Sequence, residues 1–210
     1  MISGFLVKKL HLDNQYDDQG QRFVVTYCEA QPLTVTQVKT VDKDGYQAVQ
    51  VGYFPKKHLT KSLTERLKKS KISTLLSHYR EFAPTSETLP EVGSAISIDQ
   101  VFSANDSISV SAVSKGRGFT GVIKRHRFHR QPVTGGQSDR VRAPGSIGAQ
   151  TPGKVLRGKR MPGHYGNVLS TVKNLRVVSV DPANNLLVIA GPVPGSRQGY
   201  LLVTKSKLYK

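Results

Sequence analysis

The chain has 210 residues, a single cysteine and no tryptophan, and its 31 Lys and Arg against 14 Asp and Glu give a net charge of +17. That excess is far beyond what solubility requires and predicts a polyanionic partner, nucleic acid ahead of an acidic membrane surface. One cysteine excludes an internal disulfide and a cysteine-based zinc knuckle; with no apolar run near the ~20 residues that cross a bilayer, no membrane partner is expected.

The start MISGFLVKKL lacks the apolar length and small-residue cleavage site of a secretory leader, so a cytoplasmic location is expected. In chain order, GFLVKKLHL (4–12), RFVVTYCEA (22–30), LTVTQVKTV (33–41) and YQAVQVGYF (46–54) are rich in Val, Thr, Tyr and Phe. Turn sequences Asp17-Asp18-Gln19-Gly20 and Asp42-Lys43-Asp44-Gly45 separate them. They predict successive strands of an antiparallel sheet, with Cys28 at a core position. In KKHLTKSLTERLKKSK, Leu59, Leu63 and Leu67 recur every four residues among Lys and Arg. This spacing predicts a short amphipathic helix near 57–70, packed on the barrel by its leucine face.

The chain then changes character. Residues 115–165 hold twelve basic residues and one acid, Asp139, and so carry +11 of the +17. The same segment has ten of the nineteen glycines, together with Pro132, Pro144, Pro152 and Pro162. Gly and Pro at this density prevent regular helix, and a long stretch without its own core is usually functional or disordered. Composition alone leaves a disordered basic linker open. Strand patterns return in VKNLRVVSVD (172–181), NLLVIAGPV (185–193) and YLLVTKSKL (200–208), with a hairpin turn at Asp181–Asn185. The expectation is a mainly β protein. Residues 1–114 and 166–210 form a β-barrel or sandwich interrupted by a helical insertion at 56–91, and 115–165 form an extended basic loop.

Gly116, Gly118 and Gly121 have the G-x-G-x-x-G spacing of phosphate-binding loops. A dinucleotide fold also needs a helix after the glycines and an acid at the end of a second strand. Here SISVSAVS supplies a strand, but VIKRHRFHR is dense with cations and Asp139 lies in the loop sequence GGQSDRVR. No H-R-D or D-F-G element follows, so a kinase reading fails as well. His126 and His129 flank Phe128, but no carboxylate or cysteine joins them and three arginines surround them, so no metal is expected. No nucleophile with its base, and no carboxylate pair, stands out; neither an enzyme nor a cofactor is expected. RNA fits the segment: Arg reaches phosphates bidentately and stacks on bases, and Gly lets backbone approach closely.

Four motifs then decide between readings: TQVKTVDKDGYQAVQVGY (36–53), SKGRGFTGVIKRHRF (114–128), APGSIGAQTPGKVLRGKRMPGHYGN (143–167) and GPVPGSRQGYLLV (191–203). Together, in this order and over nearly the whole chain, they closely resemble the bacterial-type L-three family of large-subunit ribosomal proteins. The resemblance implies a translation-factor-like antiparallel β-barrel on the outside of the subunit and a loop reaching toward the peptidyl transferase centre. It also implies binding near the 3′ end of large-subunit rRNA, early entry into assembly, and neighbouring large-subunit proteins as partners, with no homo-oligomer.

On this reading the rRNA-binding candidates are Lys115, Arg117, Lys124, Arg125, His126, Arg127, Arg130, Arg140, Arg142, Lys154, Arg157, Lys159, Arg160 and His164. Gly116, Gly118, Gly121, Gly145, Gly148 and Gly153 are the candidates for close backbone approach. Gln150 matches a glutamine methylated on its side-chain amide in some bacterial members, which implies a methyltransferase as a further partner. The start lacks the Gly-Met-Thr common after the lysines, and 56–91 matches the family poorly. The sequence leaves open a bacterial or organellar ribosome, and a free-standing RNA chaperone or regulatory RNA-binding protein as the alternative.

Overall fold

The computed structural model describes residues 2–17, 19–85 and 88–206. By chain contacts it divides into two compact units, one running up to Val113 and resuming at Leu169, the other Ser114–Val168. The expected loop boundaries, 115–165, fall inside the second unit.

In the first unit, strands of alternating character close on themselves. β1 (Gly4–Tyr16), β2 (Arg22–Glu29), β7 (Ser107–Val113), β10 (Leu169–Asp181), β11 (Leu186–Ala190) and β12 (Tyr200–Lys205) make a closed antiparallel barrel in the order β1-β12-β7-β10-β11-β2. Every second side chain points inward, as a pleated strand requires. Thus Ile108, Val110 and Ala112 of β7, Leu187 and Ile189 of β11, and Leu201 and Val203 of β12 are buried. Register slips in β1–β2 between Lys9 and Leu12, and in β7–β10 between Val172 and Leu175, bend the strands as closure demands. Asn174 sits in the second slip at φ +59, a conformation Asn adopts more readily than most residues.

The mainly β barrel expected from the sequence is borne out, but not all the early strands belong to it. β3 (Leu33–Lys39), β4 (Ala48–Pro55), β5 (Leu76–Phe82) and β6 (Ala95–Ile96) form a separate sheet in the order β5-β4-β3-β6. The reason is that β2 is already paired on both sides, by β1 and β11, and a closed barrel offers no free edge to β3. One continuous core serves both sheets: Phe5, Ile108 and Leu187 of the barrel join Val35, Val49, Val51 and Phe82. Gly4 permits this contact, since a Cβ there would lie 2.6 Å from both Phe82 Cε1 and the Val203 carbonyl oxygen. Buried Lys9 donates from Nζ to the carbonyls of Val193 (2.8 Å) and Gly195 (3.3 Å), pinning the segment before β12. Cys28 is fully buried, and burial pushes its thiol up to about 12 against the opposing influence of Lys9.

The helix is shorter and seated elsewhere than its leucine spacing predicts. α2 is Lys61–Lys69, and Leu59 precedes it. Leu67 is buried, while Arg66 donates to Gln50 Oε1 at 2.8 Å and also to Gln37, so α2 lies on the four-stranded sheet and not on the barrel. Nor is 56–91 helical throughout: β5 pairs with β4 from Val49↔Phe82 to Pro55↔Leu76. As an edge strand β5 exposes His78 and Arg80, which hides the apolar alternation that identifies buried strands. The Asp42–Gly45 turn contains a single helical turn, α1 (Val41–Asp44), closed by Gly45 at φ +79 with its N–H bonded to the Val41 carbonyl. Among the described residues no helix is long and apolar enough to cross a membrane.

Candidate nucleic-acid interface

The second unit begins as a ribbon whose two arms are tied by main-chain bonds. Ser114 N–H donates to the Val168 carbonyl (2.9 Å), Arg117 N–H to Tyr165 (2.8 Å), and Tyr165 N–H to Gly118 (3.0 Å). β8 (Phe119–Thr120) then pairs with β9 (Gly163–His164). Gly166 makes the ribbon possible: at φ +75 a Cβ would stand 2.1 Å from the Lys115 carbonyl oxygen, so no other residue fits. The Arg117 guanidinium lies 5.3 Å from the centre of the Tyr165 ring, a cation–π contact on the ribbon's outer surface.

Beyond the ribbon comes one short helical turn, α3 (Val122–His126), which Arg127 ends in the left-handed region at φ +59. Val122, its first residue, and Thr120 of β8 are buried. Arg125 Nη1 donates to the Met161 carbonyl at 2.7 Å, and His126 Nε2 lies 3.1 Å from the same oxygen. These two side chains are half-buried and bridge the arms, whereas the other twelve rRNA-binding candidates are exposed. Of the fourteen, Arg125 and His126 are thus held by a main-chain carbonyl, and Arg117 rests on the Tyr165 ring.

From Pro144 to Arg160 every residue is exposed. Local turns give this stretch its shape: Gly153 N–H donates to the Gln150 carbonyl at 2.9 Å, and Ser146 Oγ to Gly148 at 3.2 Å. Gln150 itself is exposed at that turn. Of the six glycines singled out from the sequence, Gly118, Gly145 and Gly153 have positive φ. Gly121 and Gly148 have negative φ and no atom within 4 Å of an added Cβ, and Gly116 meets only Asn167 at 3.6 Å, so nothing in the protein itself demands glycine at these three.

The electrostatics are lopsided. Among the described residues the ion pairs are Lys8–Glu29, Lys39–Glu81 and Lys205–Asp106, all in the first unit. Among the described residues the twelve Lys and Arg of 115–165 thus have no carboxylate partner, a charge distribution that attracts anions. No group of three or more His, Cys, Asp or Glu capable of holding a metal occurs among the described residues. Sequence reasoning missed the Met161 carbonyl, Tyr165, Gly163 and Gly166 as parts of the ribbon. A Gly-x-x-Gly spacing near its end was the available signal.

Residues 81–185, which contain the whole of this unit, match the family model described as ribosomal protein L3. The chain belongs to the ribosomal protein L3 family. Relatives similar to it include the large ribosomal subunit protein uL3 of Herpetosiphon aurantiacus, 41% identical over 209 residues that cover 98% of this chain and 97% of the relative. The uL3 of a Roseiflexus species is 43% identical, with 98% of each chain covered, and that of a Synechococcus species 41% identical, with 99% and 97% covered. The likeness to ribosomal protein L3 read from the four motifs is therefore borne out. The alignments to these relatives run through 56–91.

Proposed function

We propose that this chain is a structural component of the large subunit of a bacterial-type ribosome in the cytoplasm, and that it acts by binding and shaping RNA and not by catalysis. Its body docks on large-subunit rRNA near the 3′ end, early in assembly and beside other large-subunit proteins. Residues 115–165 form the rRNA-binding loop, which extends toward the peptidyl transferase centre. Support for the ribosomal reading comes from the family and from relatives that carry the name large ribosomal subunit protein. Support for RNA as the ligand comes from one observation above all: a unit with +11 of net charge and no internal ion pair.

Within the loop, exposed Arg and Lys neutralise phosphates between RNA helices while glycine and proline keep the path narrow. The loop offers no paired acid and base, so it shapes RNA that performs chemistry without supplying a reacting group. Arg125 and His126 contribute indirectly by holding the two arms together through Met161. Exposed Gln150 is the acceptor for amide methylation by a separate methyltransferase.

The test is the salt dependence of binding by the full chain to large-subunit rRNA. Each phosphate neutralised contributes roughly −0.9 to the slope of log K against log salt on duplex. A steep negative slope that becomes shallower when loop arginines are replaced is the expected result. A slope near zero would overturn the reading of the loop as a phosphate-binding element.

A further inference from the structure

In the first unit the barrel and the four-stranded sheet leave a cleft of about 580 Å³. This lies within the ~300–1,000 Å³ range of small-ligand pockets. Its walls are mainly aromatic and apolar: Tyr53, His78 and Tyr200 line it, with Leu169 and Val113 at the rim. Leu169 and Val113 are register partners and are 73% and 53% exposed, a costly placement for apolar side chains with nothing over them.

The rings form a continuous set. Tyr200 lies with its ring centre 3.9 Å from that of His78, 5.7 Å from Phe54 and 6.3 Å from Tyr53. Phe54 has φ +69, a conformation that bulky side chains avoid and that is concentrated at functional sites. Its carbonyl accepts from Ser77 Oγ at 3.2 Å, and Lys8 Nζ stands 4.8 Å above its ring. Beside the cleft Lys8 is paired with Glu29 at 3.9 Å, whereas the lining itself carries a cation, Arg80, and no acid. Partial burial together with Arg80 and Lys56 lowers the pKa of His78 from its ordinary value.

We infer that this aromatic cleft between the barrel and the four-stranded sheet receives an unstacked nucleobase of the bound RNA, with Tyr200 as the stacking face and Arg80 toward the adjoining phosphate. Aromatic faces rimmed by cations are how proteins hold splayed bases without reading their sequence. An apolar side chain of a neighbouring protein fits the rings but gives no account of Arg80, which lines the cleft with no carboxylate beside it in the lining. This inference rests on the proposal that the chain binds rRNA.

The test compares full-length wild type, Tyr200→Ala, Tyr200→Leu and Tyr200→Phe for affinity to large-subunit rRNA across a salt series. Tyr200→Ala and Tyr200→Leu should each weaken binding about tenfold or more, while Tyr200→Phe binds like wild type. The salt slope should not change in any of them, because a stacked base releases no counterion. Leu preserves apolar packing on the barrel edge, so a loss seen with Leu as well as Ala reports the missing ring and not misfolding. Equal binding by all four proteins, or full binding by Tyr200→Leu, would overturn the base pocket and leave the cleft to a protein side chain. Failure of wild type itself to bind would instead defeat the rRNA reading on which the inference rests.

Discussion

Arg125→Met should loosen the ribbon without altering the barrel. The substitution keeps length and apolar bulk but removes the charged donor that meets the Met161 carbonyl at 2.7 Å. A hydrogen bond from a charged group contributes about 1.5–3 kcal/mol, which corresponds to an opening equilibrium raised roughly 10- to 150-fold. Because Arg125 is only half-buried and His126 also lies 3.1 Å from the same oxygen, the lower end of that range applies. Hydrogen exchange at the amides of Arg117 and Tyr165, which bond across the ribbon, reads this opening directly. Both should exchange about tenfold faster, with the barrel amides unchanged, whereas Lys124→Met should leave them as they are because exposed Lys124 holds nothing in the protein. Unchanged exchange in Arg125→Met would refute the claim that this arginine ties the arms together.

Gly166→Ala should disrupt the same ribbon more severely, since its Cβ would meet the Lys115 carbonyl oxygen at 2.1 Å; a mutant with wild-type exchange at Arg117 and Tyr165 would contradict this. Arg157→Ala and Arg160→Ala should each reduce the salt slope of rRNA binding by about 0.9 with unchanged circular dichroism of the barrel, if each meets one phosphate. Cys28 should resist thiol reagents at neutral pH until the barrel unfolds, and Ellman titration with and without denaturant measures it. Because burial raises its pKa from 9.0 to about 12, its contribution to stability is full below 9 and is lost as pH rises toward 12. Denaturant midpoints of wild type that fall across that window, and fall less in Cys28→Ala, are the expected outcome.

The barrel strands were legible because a half-buried pleat writes itself as alternation: YLLVTK and SISVSAV each bury every second residue. Two other features were not. The partition of β3 and β4 into a second sheet depends on which edges of β2 are already occupied, and β11, which occupies one of them, comes more than 150 residues later. β5 was missed because an edge strand carries charged residues where a buried one carries apolar ones. In the loop, total charge was plain but its orientation was not. RHRFHR has no period that separates Arg125 and His126, which turn toward Met161, from Arg127 and Arg130, which face outward. The aromatic cleft was invisible for a related reason, because Tyr53, His78 and Tyr200 meet only through the packing of two sheets.

The large-subunit assignment is tested most directly by sedimenting a cell lysate through a sucrose gradient in high-salt buffer and quantifying this protein in each fraction. One copy per large subunit, retained through the wash, is the predicted result. Release to the top of the gradient, or presence only on immature particles and at well below one copy each, would contradict a structural role in the mature subunit.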